Sequence, residues 1–228
     1  LLKRAAALYT GGKDSHYAII KSMELGIKVV KVITVVPSRL DSWMFHGINA
    51  KWAKLHAELM NLDYCELRVS GIKEEEIDEL YEGLKECIDN EIKFIVTGAV
   101  ASKYQKVRID KVASTLGIKH LAPLWGSDPL KLLNDELSEL GIVITAIQAY
   151  GLNSDWLGKV LTIKDVQLLS NLLARYGINP VGEGGEFETF VISSPLFKGR
   201  GICIRKTNFL WNPNMWSGFY TIEQADIC

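Results

Sequence analysis

The chain has 228 residues, 48% hydrophobic and 23% charged, with 26 Lys and Arg against 27 Asp and Glu. This ordinary globular usage excludes disordered and fibrous classes, and the length suffices for one large domain or two small ones. A net charge of −1 argues against a nucleic-acid binder working through a dominant basic surface, although a local patch stays open.

A short apolar run, Ala5-Ala6-Ala7-Leu8-Tyr9, follows Lys3 and Arg4 and ends in Thr10-Gly11-Gly12-Lys13-Asp14-Ser15. The run reads as a buried first strand rather than a leader, because it enters the glycine loop without a cleavage-like region. A helix follows from about Ser15 to Leu25, with Asp14 or Ser15 placed to cap it and Gly26 to stop it. Two glycines before a helix N-terminus make an anion cradle, and Lys13 adds a mobile positive charge. This is not a Walker A loop: its earlier Gly is missing, and Asp14 stands where Ser or Thr must follow Lys. The bottom-up reading is a phosphate or pyrophosphate site at the first strand–helix turn.

Farther along, Lys28–Val36 reads as a second strand and Ser38–Gly47 as a polar loop with Asp41, Trp43 and His46. Ile48–Met60 is expected as a helix, Tyr64–Val69 as a strand and Lys73–Asn90 as an acidic helix. Lys93–Thr97, ending at Gly98, is the fourth strand, followed by a helix over Val107–Leu116 and a short strand at Ile118–Leu121. This alternation predicts an α/β fold: a five-stranded, mostly parallel, doubly wound sheet over residues 1–124, with ligands bound beyond the carboxyl ends of its strands. Residues 125–228 read as a smaller α+β domain. It has helices at Pro129–Leu140 and Thr162–Tyr176, the latter capped by Thr162 and stopped by Gly177. Its strands are Ile142–Ala149 and short pieces at Phe187–Ser193, Gly201–Thr207 and Gly218–Glu223. Neither a repeat nor an apolar run near the roughly 20 residues of a membrane span occurs, and the expected setting is the cytoplasm.

Two further stretches carry chemistry. Gly98-Ala99-Val100-Ala101-Ser102-Lys103-Tyr104-Gln105-Lys106-Val107-Arg108 leaves the fourth strand with three cations, of which Lys103 and Arg108 are candidates for β and γ phosphates. Cations are unfavourable near a helix N-terminus unless an anion compensates them, which favours a bound phosphate over a merely solvated basic turn. Gly182-Glu183-Gly184-Gly185-Glu186-Phe187-Glu188 suits neither a packed strand nor a stable helix. Its carboxylates suit a cation, a nucleophile or a substrate amine, and the plainer alternative is a solvated acidic turn. His16, His46, His56 and His120 show no metal-ligand spacing. His56 reads as ordinary helix surface, and His46 as a weak ligand candidate beside the nucleotide. Cys65, Cys87, Cys203 and Cys228 form no Cys-x-x-Cys pair, which excludes the common zinc patterns and offers no disulfide framework.

Thr10–Ser15 resembles the Ser-Gly-Gly-Lys-Asp-Ser loop of the N-type ATP pyrophosphatases, the PP-loop superfamily, with Thr10 in place of the usual first Ser. Together with Gly98–Ile109, Pro123-Leu124-Trp125-Gly126, Ala149-Tyr150-Gly151-Leu152, Trp156-Leu157-Gly158 and Glu183–Phe190, the chain is similar to one branch of it, the archaeal-type diphthine–ammonia ligases. The resemblance implies ATP as co-substrate, Mg2+, ammonium as nitrogen source and translation elongation factor 2 as protein substrate. AMP and pyrophosphate would leave as a diphthine carboxylate becomes an amide. No stretch reads as a glutaminase, which agrees with free ammonium, and no direct nucleic-acid binding is expected.

By this resemblance Thr10, Gly11, Gly12, Lys13, Asp14 and Ser15 hold the phosphates, and Asp14 contacts the metal. Val36 edges the adenine, and Gly98, Ser102, Lys103, Gln105 and Arg108 complete the nucleotide site. Lys13, Lys103, Glu183, Glu186 and Glu188 are the catalytic candidates. Tyr150, Trp156, Glu183, Gly184, Gly185 and Glu186 are the substrate candidates, the two aromatics offering faces to a trimethylammonium group. Two rivals remain at this point: a tRNA-modifying PP-loop enzyme that adenylates a base, and a non-catalytic nucleotide-binding module. The missing Cys-x-x-Cys weakens the thiolating version of the first, and a passive AMP binder would not need a pyrophosphate loop.

Overall fold

Short apolar runs rich in Ala, Val and Ile form the three central strands of the N-terminal sheet. Strand β1 (Lys3–Leu8) leads to helix α1 (Lys13–Glu24) and strand β2 (Ile27–Pro37). Strand β3 (Asp63–Val69) follows helix α2 (Ala53–Met60), and helix α3 (Glu75–Cys87) leads to strand β4 (Ile92–Val96). Helix α4 (Lys103–Thr115) and strand β5 (Lys119–Leu121) complete the alternation. The computed structural model describes residues 3–38, 49–72 and 75–228. The loop expected over Ser38–Gly47, Ser38 apart, and the helix start expected at Lys73 lie outside them.

Every pairing in this sheet is parallel, in the order β3-β2-β1-β4-β5. The order reverses at β1, which lies between β2 and β4, so the carboxyl ends of β1 and β4 flank the switch-point crevice. Ala6, Ile33, Val35 and Ile95 on one face pack with Leu80 and Leu84 of α3 and Ile109 and Val112 of α4. The alternating residues Ala5, Ala7 and Val32 are equally buried, so both faces are covered, as a parallel sheet requires.

Two helix starts lie several residues from expectation. The segment before α2 is a 3-10 turn, Ala50–Trp52, and the α-helix begins only at Ala53. Helix α4 begins at Lys103 rather than Val107, because the Ser102 hydroxyl accepts a hydrogen bond from the Gln105 amide and caps it there.

Residue contacts divide the chain into two compact units, Leu1–Trp125 and Gly126–Cys228. The second contains helix α5 (Pro129–Glu139), strand β6 (Gly141–Gln148), helix α6 (Ile163–Tyr176) and strand β7 (Phe187–Ser193). Strands β8 (Ile202–Asn212) and β9 (Ser217–Ile227) close an antiparallel sheet ordered β7-β6-β9-β8. The α+β character is as expected, but the final segment is one long hairpin rather than short pieces: β8 and β9 pair from Ile202↔Ile227 to Asn212↔Ser217. More than half of β8 is exposed and β9 is mainly half-buried, with Gly218 and Ile222 buried, so neither carries the period-2 burial pattern that would have marked its length.

The cysteines also depart from expectation. Cys65 pairs with Cys87 and Cys203 with Cys228, each as a disulfide. The partners are 22 and 25 residues apart, and packing of α3 on β3 and of β8 on β9 brings their Cα atoms to 6.2 and 5.9 Å.

Helix α6 starts with a capping box, in which the Asp165 carboxylate accepts from the Thr162 amide at 2.8 Å and the Thr162 hydroxyl at 2.9 Å. Lys159 also donates to Asp165. Burial alone would raise the Asp165 pKa, but the Lys159 and Thr162 hydrogen bonds outweigh it and hold the carboxyl below its ordinary value. A depressed folded-state pKa contributes stability that is present above the unfolded value of about 3.9 and is lost as pH falls through the folded value. Asp165→Asn is expected to cost about 1 kcal/mol at neutral pH, the usual worth of a cap. In acid-dependent melts followed by circular dichroism, the gap to the parent protein should close as the parent's carboxyl protonates.

Candidate active site

The Thr10–Ser15 loop joins β1 to α1 at the switch point of the sheet. Gly11 has φ +86°, in the left-handed region that favours glycine, and this conformation turns the chain sharply into the helix. Helix α1 is capped by neither Asp14 nor Ser15: its N-cap is Gly12, and no side chain caps it. The two expected caps serve elsewhere, since Ser15 Oγ donates to the Gly12 carbonyl at 3.0 Å and Asp14 Oδ1 accepts from Lys13 Nζ at 2.6 Å. Thr10 Oγ1 accepts from the Gly12 amide at 3.3 Å, so the first hydroxyl braces the turn. The positive end of α1 thus faces the loop without a side-chain carboxylate capping it, which suits an anion. Lys13 is not mobile. It is fully buried, and the ion pair with Asp14 fixes its charge beneath the loop.

The strand end that closes the crevice is β4. A Cβ on Gly98 would lie 2.5 Å from both the Asp14 carbonyl carbon and the Ser15 nitrogen, so only glycine lets the chain after β4 approach the first turn of α1 this closely. Val36, near the end of β2, is half-buried and pairs with Arg68. At the start of α4, Lys103 is exposed, while Ser102 and the Gln105 amide form the cap. Two neighbouring cations are engaged within the protein. Arg108 stacks 3.4 Å over the Tyr104 ring, and Lys106 pairs with Asp110 at 2.7 Å and lies 5.6 Å from the Trp125 ring.

Behind the loop lies a buried polar cluster with no local signature in the sequence. The Tyr9 hydroxyl hydrogen-bonds Nδ1 of both His16 and His56, each at 2.8 Å, and all three side chains are buried. His56 is therefore core rather than helix surface. It is 47 residues from Tyr9, and only the docking of α2 brings it there. Burial, helped by repulsion from His56, lowers the His16 pKa well below its ordinary value, and burial raises that of Tyr9. The hydroxyl thus ties the residue before the loop to α1 and α2. Tyr9→Phe is expected to cost about 1–3 kcal/mol, because it removes a shared partner from two buried imidazoles. Urea denaturation should show a lower midpoint with an unchanged slope.

The second unit holds the glycine–glutamate run. Gly182 and Gly185 have φ of +73° and +84°, and the turn they form runs directly into β7. Glu186 braces that turn: its two oxygens accept from the Asn179 amide at 3.0 Å and the Gly184 amide at 2.9 Å. Glu183 and Glu188 are half-buried, and Glu188 sits on β7 opposite Ala146. Tyr150 and Trp156 are separated in character. Tyr150 is 63% exposed and stacks edge-on with Tyr176 and Trp216, whereas Trp156 is buried with Lys159 Nζ 4.5 Å from its ring centre. Among the described residues no group of three or more His, Cys, Asp or Glu side chains converges as a metal site, and no helix is long and apolar enough to cross a membrane.

Comparison with known proteins matches both units to one family. The diphthamide synthase N-terminal domain corresponds to residues 3–120 and the diphthamide synthase C-terminal domain to residues 128–227. A diphthine–ammonia ligase of Schizosaccharomyces pombe is 33% identical over 89% of this chain, which spans 36% of that protein. Diphthine–ammonia ligases of Bos taurus and Homo sapiens are 34% and 33% identical over 86% of this chain, which spans 80% of each. Among solved structures, a chain described as a predicted subunit of tRNA methyltransferase from Methanocaldococcus jannaschii is 18% identical, with a TM-score of 0.46 over 85% of this chain and 98% of that one. That likeness is too loose to speak for function.

Proposed function

The chain belongs to the diphthamide synthase family, and from that premise we propose that it is an AMP-forming ligase that converts diphthine on translation elongation factor 2 to diphthamide. In this reading residues 1–124 bind ATP and residues 125–228 bind the modified protein. The observation that carries it, beside the family, is the Thr10–Ser15 loop, with its helix start uncapped by any side chain, its buried Lys13 and the chain after β4 pressed against it.

A carboxylate is a poor acyl donor because its leaving group would be oxide. Attack of the diphthine carboxylate on the α phosphate of ATP expels pyrophosphate and turns that oxygen into part of AMP, which ammonia then displaces. The chain's work is to neutralise the departing pyrophosphate and hold the groups in line. The Gly11–Gly12 turn, Lys13, Ser15 and the start of α1 receive the pyrophosphate. Lys103, an exposed cation on the first turn of α4, adds charge from the opposite side of the crevice.

Asp14 suits a Mg2+ ion: its side chain is 27% exposed, and Mg2+ is commonly held by one or two carboxylates together with substrate phosphates and water. When bound, the ion would offset phosphate charge. Glu183 and Glu188 are proposed to face the substrate, while Glu186 holds the turn that carries Glu183. Because the elongation factor works inside the cell, the proposed compartment is the cytoplasm.

The test combines the protein with ATP, Mg2+, ammonium and diphthine-bearing elongation factor 2. AMP, pyrophosphate and the amidated protein should form only with the full mixture. Release of ADP in place of AMP would sink the proposal.

A further inference from the structure

A second polar network lies on the other side of the switch point. His120 of β5 hydrogen-bonds Asp110 of α4 through Nδ1 at 2.7 Å and Thr97 through Nε2 at 2.7 Å. Asp110 Oδ2 in turn takes Lys106 Nζ at 2.7 Å. The directions of these bonds follow from their chemistry. An ionised carboxylate only accepts, so His120 Nδ1 carries the hydrogen; Nε2 of the neutral ring then accepts, and the Thr97 hydroxyl donates to it. Thr97 Oγ1 is left with lone pairs for a ligand that only donates, and ammonium is such a ligand.

The placement fits a path between site and solvent. Thr97 stands between the last residue of β4 and Gly98, whose α-carbon lies against the Asp14–Ser15 peptide. Thr97 is 8% exposed and the His120 side chain 2%, whereas the Asp110 side chain is 42% open to water. The network thus runs from the strand ends, through a buried imidazole, to the surface.

We propose that Thr97, His120 and Asp110 form the proton relay that converts ammonium to ammonia for attack on the acyl-adenylate. The inference rests on the ligase reading above. An N–H bond of ammonium breaks and its proton passes to Thr97 Oγ1, while the Thr97 hydroxyl proton passes to His120 Nε2. The products are ammonia with a free lone pair and an imidazolium held against the Asp110 carboxylate. The proton returns to solvent after turnover.

Among the described residues the charged groups acting on His120 are Asp110 and Lys106, both from α4, and Thr97, which follows β4, is neutral. Burial lowers the His120 pKa and Lys106 adds to this, against the opposing pull of Asp110, so the ring is neutral and able to accept a proton at neutral pH.

Hydroxylamine separates a relay from a structural tie, because it is largely unprotonated at neutral pH and needs no base. For Thr97→Val, kcat/KM for ammonium should fall by about 10²-fold, the lower range for general acid–base catalysis. Its pH profile should move upward as free ammonia takes over, and Thr97→Ser should restore the parent profile. Asp110→Asn keeps a hydrogen-bond acceptor on an exposed side chain but loses the charge, so a smaller fall with the same upward move is expected. With hydroxylamine both variants should match the parent, and ATP–pyrophosphate exchange with diphthine-bearing elongation factor, run without any nitrogen source, should be unchanged. An equal loss with ammonium and hydroxylamine, or loss of exchange, would overturn the relay. Absence of exchange in the unaltered protein would instead overturn the ligase reading, and this inference with it.

Discussion

Lys13→Met is expected to lower AMP and pyrophosphate formation by about 10²–10³-fold, the range seen when a preorganised stabiliser of developing charge is removed. The structure shapes both the choice of residue and the expectation. Lys13 is fully buried, so alanine would leave a gap, whereas methionine has similar length and no charge. Replacing one member of a buried pair is costly when the other is left without solvent, but the Asp14 side chain is 27% exposed and water can reach it. The variant should therefore melt close to the parent while turnover collapses. Measuring thermal unfolding beside product formation separates the two effects. Wild-type turnover in a folded Lys13→Met protein would remove the residue from the pyrophosphate site.

Gly98→Ala is expected to damage activity at least as much as stability. The new Cβ would sit 2.5 Å from the Asp14 carbonyl carbon and the Ser15 nitrogen and 2.7 Å from the Asp14 oxygen. These are backbone atoms of the loop and first helical turn, which cannot rotate aside as a side chain would. Either β4 or α1 must shift, at about 1–3 kcal/mol for overpacking. Displacement of the loop by about 1 Å would cost on the order of 10²-fold in rate. Gly117→Ala is the control. Gly117 has φ +71° with nothing within 4 Å of its would-be Cβ, so the substitution strains the backbone by roughly 1–2 kcal/mol without touching the loop. It should lower the melting temperature and leave turnover intact. If Gly98→Ala behaves the same way, the close approach does not position the loop.

Much of the fold was legible because its information is local. The β1–α1 junction, the strand alternation and the Phe187–Ser193 strand follow from periodicity and punctuation within a few residues, and so does the Thr162 cap of α6. The start of α4 was misplaced because a serine cap competes with the helical pattern only once its hydroxyl meets the Gln105 amide. The long β8–β9 hairpin escaped notice because an antiparallel pair without an alternating buried face draws its register from its partner.

The division at the candidate site follows the same line. The sequence by itself determined that a glycine turn with a lysine opens a helix behind a buried strand, and hence the expectation of a phosphate there. The types and order of adjacent residues are sufficient for that. Only the tertiary structure decided what each group is free to do. It buried Lys13 and tied it to Asp14, turned Glu186 back onto two backbone amides, and paired Cys65 with Cys87. It also joined Tyr9 to His56 and Thr97 to His120 and Asp110. Each of these contacts depends on how helices and strands dock, and a hydrogen bond between residues 23 or 47 positions apart leaves no trace in the pattern of either segment.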